Sequence, residues 1–303
     1  MTRALAFAMA VTAVLATPQE RPVFRVATDL VPIYASVFTR DGQLLRGLTK
    51  ADFEILDNGR PTDITVFSSE LQPITVAVVV DRSNSNMSQI PWAQRGVEAF
   101  VNAMRPDDRM SIRTLESLPT PMTSDRATLL GTIRGGFPPD TSSPVWDTVG
   151  HAISSLEREP QRRIVLTLTD GQDAGPARMP ATVLQESERH LVSLYAVDYE
   201  RRTDFRVPST QLAEPSQWER DRDRARESLE RLVRQTGGEL FLLREGSTKV
   251  EDAFARIAET LRTQYLLGFE RAPDGKVHKL AVRVKRQGAV VRVRQSFMSG
   301  KRS

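Results

Sequence analysis

Asp81, Ser83 and Ser85 stand at alternate positions directly after the apolar run Ile74-Thr75-Val76-Ala77-Val78-Val79-Val80. A buried strand that ends in one carboxylate and two hydroxyls aims several hard oxygen ligands at one point above the sheet edge, and such ligands suit Mg²⁺, Mn²⁺ or Ca²⁺. Asp170 ends a second apolar strand in the string Leu168-Thr169-Asp170-Gly171. Two adjacent parallel strands ending this way would bring two carboxylates within reach of one cation. A third, hydroxyl-rich loop, Asp140-Thr141-Ser142-Ser143-Pro144, leads into a helical stripe that starts at Val145. Each string alone also reads as an ordinary turn, because Asp, Ser and Gly are loop residues. Occurring in phase after two apolar strands, they read together as a metal site.

Other polar and aromatic residues carry plainer readings. Asp147 suits a helix N-terminus, and with Asp173 it could also orient hydroxyls around a metal. Trp92 and Trp146 read as core or as the rim of a binding surface. His151, His190 and His278 are scattered, with no zinc-ligand spacing, and read as structural.

The elements that must position these residues alternate between strand and helix over residues 73–267. Pro91 sits where a helix can begin, and Val97, Phe100, Val101 and Met104 recur at helical spacing. Met110, Ile112 and Thr114 alternate as a strand. Val145, Val149, Ala152, Ile153 and Leu156 form the next helical stripe, and residues 164–169 and 191–197 form further strands. Ala225, Leu229, Leu232 and Val233 make a stripe that stops at Gly237-Gly238. A short strand at 239–242 and a last helix complete the unit. This order predicts a doubly wound, mostly parallel α/β sheet with helices on both faces and its ligand site beyond the carboxyl ends of the strands.

The flanks are β. In residues 23–70, Val31, Ile33, Ala35 and Val37 alternate, residues 49–52 look like a capping box, and Asp57-Asn58-Gly59 separates the short runs 53–55 and 64–66. In residues 268–297, Leu280, Val282 and Val284 alternate, and Gln287-Gly288 turns into 291–294. Each piece has too few strands to bury a face alone. The expectation is one small β-sandwich, built from both ends, with the α/β unit inserted between them.

Composition narrows the function classes. Of 303 residues, 40% are hydrophobic and 26% charged, the profile of a soluble globular chain. Met1-Thr2-Arg3 precedes an apolar stretch that ends in small residues, which predicts a signal peptide over 1–16, cleaved after about Ala16, and a secreted or periplasmic protein. The stretch is too short for stable membrane insertion. There is no Cys, so neither disulfides nor a lipid anchor on Cys contributes. The net charge of +4 comes from Arg dispersed among Glu and Asp, as over 219–234, without the clustered cations and stacking aromatics of a nucleic-acid surface.

At this point the chain resembles a von Willebrand factor A-type domain with its metal-ion-dependent adhesion site, of a kind found in secreted bacterial proteins. Asp81, Ser83 and Ser85 match the D-x-S-x-S motif, Asp170 in Leu-Thr-Asp-Gly matches the later aspartate, and Ser143 takes the place of the family's threonine, without the preceding glycine. Residues 232–238 resemble Leu-x-x-x-Thr-Gly-Gly. Outside the α/β unit, residues 48–66 and Tyr-Leu-Leu-Gly at 265–268 resemble flanking motifs of such proteins.

The resemblance implies a divalent cation, Mg²⁺ foremost, held by Asp81, Ser83, Ser85, Ser143 and Asp170, with one position open for an Asp or Glu of a partner protein. It also implies that the last helix, 248–263, moves when a ligand binds. On this reading the chain is a binding and adhesion module, not an enzyme. The alternatives are a metal-free envelope scaffold and a metal-assisted hydrolase. The hydrolase lacks a G-x-S-x-G elbow, a phosphate-binding G-x-x-x-x-G-K and a His beside a nucleophile.

Overall fold

The computed structural model describes residues 30–83, 90–137, 140–172, 178–200, 217–244 and 249–300, apart from the side chains of Tyr199, Glu200, Trp218, Glu219 and Arg244. The expected signal segment, Ser85 and Asp173 lie outside the described residues.

Strand β1 (Leu30–Phe38) buries Val31, Ile33, Ala35 and Val37, the period-two face expected of it. A single 3-10 turn, Lys50–Asp52, comes next, and Thr49 and Asp52 form its capping box. Strand β2 (Phe53–Asp57) then meets Asn58 and Gly59 at φ 49° and 81°. Two successive left-handed residues make the tight hairpin turn whose partner strand resumes at once. The strand opposite β2 is therefore β3 (Arg60–Thr62), not the apolar stretch 64–66, and β4 (Val66–Ser68) crosses to the other sheet.

The α/β unit runs β5 (Ile74–Val80), α1 (Ile90–Ala103), β6 (Arg109–Thr114), α2 (Arg126–Arg134), α3 (Val145–Ser155), β7 (Arg162–Leu168), α4 (Pro180–His190), β8 (Ser193–Glu200), α5 (Gln217–Gln235), β9 (Leu240–Arg244) and α6 (Val250–Arg262). Its five strands are parallel, in the order β6-β5-β7-β8-β9. All of β5 is buried, which requires cover on both faces. Val97, Phe100, Leu129, Ile133, Phe254 and Ile257 of α1, α2 and α6 pack on one side. Val149, Ile153, Val183, Leu229 and Leu232 of α3, α4 and α5 pack on the other.

The chain closes with β10 (Tyr265–Glu270), β11 (Val277–Val284), β12 (Val290–Arg292) and β13 (Ser296–Met298). They pair with the opening strands into two antiparallel sheets, β12-β1-β10-β4 and β13-β11-β2-β3. Ile33, Leu267 and Phe269 face Ile55, Val282 and Phe297 across one shared core. The expected fold class, a doubly wound parallel sheet plus a sandwich drawn from both termini, is the one observed. Helices α2 and α4 and strand β13 are elements that the apolar pattern does not mark. Strand β8 starts at Ser193 rather than 191, because Leu191 turns left-handed at φ 52° to end α4.

Gly237 seats the sandwich segment against the end of α5, and Gly238 seats the same turn against strand β8. Thr236 bridges Arg294, and the Gln295 amide donates to Gln235 O at 2.8 Å. Gly237, at φ +81°, lies so close that a β-carbon there would be 2.5 Å from Arg294 N, and one on Gly238 would be 1.7 Å from Leu194 O. No other residue type fits either position.

Candidate metal centre

Strands β5 and β7 are parallel neighbours with Val80 opposite Leu168, and Asp81 N extends the ladder to Leu168 O at 2.9 Å. The loops after β5 and β7 therefore leave the sheet side by side. Asp81 is buried at 2% exposure, and both of its carboxylate oxygens are engaged. Ser83 donates its amide at 2.9 Å and its hydroxyl at 2.5 Å to Oδ1, and the Thr169 hydroxyl donates to Oδ2 at 2.7 Å. Thr169 Oγ1 in turn accepts the Gly171 amide at 3.0 Å. Asp170 takes the Gln172 amide on Oδ1 at 3.0 Å, and the Gln172 side chain on Oδ2 at 3.3 Å.

The third loop is stitched to both. Ser143 donates its hydroxyl to Gln172 O at 2.8 Å. Asp140, 5% exposed, accepts the amides of Arg82 at 2.9 Å, Leu115 at 3.3 Å and Glu116 at 3.0 Å. Glu116 answers from the β6 side, taking the Thr141 amide at 2.6 Å and the Ser142 hydroxyl at 2.7 Å. Those bonds, the Ser142 hydroxyl foremost, hold the Glu116 carboxyl below its ordinary range. Nearby, burial pushes the Arg113 guanidinium down, against the pull of Asp140.

The structure thus gathers the segments that carry Asp81, Ser83, Ser143 and Asp170 at the carboxyl edge of the sheet. Trp146 lies in the core at 5% exposure, and Trp92 packs edge-on to Phe254, with ring centroids 5.9 Å apart. Asp147 sits in the first turn of α3 and receives Arg178 on its backbone oxygen at 2.9 Å. Asp198, at the same edge on β8, is paired with Arg226 of α5, whose Nε and Nη2 stand 2.7 and 2.6 Å from Oδ2. Thr169 and Glu116 do not stand out in the sequence, and Asp140 stands out only as part of its loop. One available sign for Thr169 is a hydroxyl at the last position before the Asp170 turn.

The donor set suits a hard divalent cation. Among the described residues, no three His, Cys, Asp or Glu side chains gather as a metal-ligating group, so a cation at this edge would draw on hydroxyl oxygens as well as on Asp81 and Asp170. Ser83 and Ser143 each give their hydroxyl proton to a protein acceptor, and a hydroxyl oxygen is a hard donor of the kind such a cation takes. Asp81 and Asp170 together match a divalent charge.

A parallel sheet in this order, with Asp-x-Ser after β5 joined to Thr-Asp-Gly after the central strand β7, decides the fold type. That is the arrangement of a von Willebrand factor A-like fold. No protein-family model and no curated protein matches the chain. Among solved structures, the chain is similar to an aerotolerance-related membrane protein from Bacteroides fragilis, at 13% identity over 61% of this chain and 98% of that one, TM-score 0.44. It is similar to a von Willebrand factor type A protein from Catenulispora acidiphila at 11% identity, over 91% and 74% of the two chains, TM-score 0.43. It is also similar to the manganese-loaded TRAP protein of Plasmodium vivax at 13% identity, over 80% and 100%, TM-score 0.42. Likenesses this faint say nothing of what this chain binds.

Proposed function

We propose that this protein is an exported binding module that holds a divalent cation, Mg²⁺ by preference, through Asp81, Ser83, Ser85, Ser143 and Asp170. It captures a partner protein through an Asp or Glu whose carboxylate completes the coordination. One observation supports the reading: the hydroxyls of Ser83 and Thr169 both donate to Asp81, and that of Ser143 to Gln172 O, which joins three loops into one oxygen-rich edge. When bound, the cation supplies a positive centre for a partner's carboxylate oxygen. The chain's own residues orient the oxygens and cancel the metal's charge, so an acidic partner is not repelled. The reading is of binding rather than catalysis. No helix among the described residues is long and apolar enough to cross a membrane.

Calorimetric titration of the full chain with Mg²⁺ and with Mn²⁺ tests the metal. Saturable binding that Asp81→Ala abolishes is expected, and a flat trace for both proteins removes the cation from the account. Capture of envelope proteins with and without EDTA then tests the partner. Chelator-sensitive capture supports the module, and capture indifferent to EDTA leaves a metal-free scaffold.

A further inference from the structure

Ser143 lies on a loop with no regular structure of its own, between Asp140 and the start of α3. A hydroxyl on such a loop can ligate a metal only if the backbone beneath it is held. Two carboxylates hold it, pointing in opposite directions. Asp140, on the loop, reaches across to the amides of Leu115 and Glu116 at 3.3 and 3.0 Å. Glu116 reaches back to the Thr141 amide at 2.6 Å, the Thr141 hydroxyl at 3.0 Å and the Ser142 hydroxyl at 2.7 Å. Asp140 also takes the Arg82 amide at 2.9 Å, which ties the same loop to the segment carrying Asp81 and Ser83. Thr148 adds a bond from the first turns of α3 to Leu115 O at 2.8 Å.

We propose that Asp140 and Glu116 form a reciprocal clasp that positions Ser143 for the cation, with Glu116 as a positioning residue on the exposed side. The inference rests on the metal reading of this edge. A pair of carboxylates on facing loops, each accepting amides or hydroxyls of the other's loop, defines both the spacing and the angle of the two loops. Serine, lacking threonine's methyl group, has more freedom about χ1, so the backbone has to supply the order that the side chain does not. Glu116 acts through Thr141 and Ser142, with its oxygens occupied there rather than offered to a metal. Its contribution is one of geometry, and its charge is incidental.

The test is titration of the full chain with Mn²⁺, using Glu116→Ala and Glu116→Gln, together with amide hydrogen exchange of residues 141–143 in the metal-free protein. Glu116→Ala should weaken Mn²⁺ binding about tenfold, in the range seen when groups that orient metal ligands are removed. It should speed exchange at 141–143 while leaving β5 and β7 protected. Glu116→Gln should bind within about threefold of wild type, because its amide oxygen still accepts the Thr141 amide while its nitrogen donates to the two hydroxyls. Equal weakening in both variants would mean that charge, not geometry, is at work, and would overturn the clasp. So would wild-type affinity in Glu116→Ala. If Glu116→Ala unfolds, Ser142→Ala, which removes a single bond of the clasp, takes its place, and unchanged exchange there sinks the proposal. A wild-type protein that binds no Mn²⁺ overturns the metal reading itself, while exchange at 141–143 still reports whether Glu116 holds the loop.

Discussion

Thr169 donates its hydroxyl to Asp81 Oδ2 at 2.7 Å, linking the ends of two neighbouring parallel strands at a buried point. Thr169→Val keeps the shape and removes the donor, so a buried carboxylate oxygen loses its partner. A loss of about 1–3 kcal/mol in urea denaturation is expected, with Thr169→Ser recovering most of it. Mn²⁺ affinity should fall with it. A valine variant as stable as wild type would show that the bond contributes nothing.

Helices α1 and α6 meet at Gly96, where a β-carbon would lie 2.5 Å from the Phe254 ring. Gly96→Ala should therefore destabilise the protein by about 1–3 kcal/mol despite alanine's better helix propensity. Gly96→Ala combined with Phe254→Leu should recover part of that loss. A stabilised Gly96→Ala protein in thermal denaturation would show that the helices move apart freely.

In the sandwich, His278 lies between Asp57, 2.8 Å from Nδ1, and Asp274, 3.1 Å from Nε2. The hydrogen bond from His278 first, then the Lys276 amide and Arg271, hold the Asp274 carboxyl well below the usual carboxylate range. A carboxyl lowered on folding stabilises the fold above its unfolded value of about 3.9, and that stability is lost as pH falls through and below it. Unfolding free energy measured from pH 6 down to pH 2 should fall more gently in Asp274→Asn than in wild type. Parallel curves would remove Asp274 from the acid response.

Arg226 on α5 places two nitrogens 2.7 and 2.6 Å from Asp198, which is 5% exposed. Arg226→Met should cost up to about 3–5 kcal/mol by taking away the cationic partner of a buried carboxylate, and adding Asp198→Asn should return much of it. Strict additivity of the two changes in denaturation would deny the coupling.

The central strands were legible because their apolar runs are long and end abruptly in Asp, as at Val80-Asp81 and before Asp170. The sandwich was legible from alternation in β1 and β11. Helix α2 was not, since its buried stripe is only Leu129 and Ile133, with Asp125 as its cap. Nor was β3, whose Arg-Pro-Thr carries no apolar signal and is a strand only because Asn58 and Gly59 turn the chain back at once. Asp81, Ser83 and Asp170 could be picked out by type and position after a strand, and Ser143 by its place in a hydroxyl-rich loop before a helix. The roles of Thr169, Asp140 and Glu116 could not be read, because each acts on a loop distant in the chain.

Residue type and periodicity were thus sufficient to say which segments turn an apolar face to a core and where oxygen ligands cluster along the chain, because apolar spacing and turn chemistry are local properties of the sequence. Which strands lie side by side is a property of packing. That β5 touches β7, that Asp140 grips Arg82 and Glu116, and that Ser143 meets Gln172 are consequences of how α1, α3 and α6 cover the two faces of the sheet. Hydrogen bonds between loops so far apart in sequence form only once that packing has brought them together.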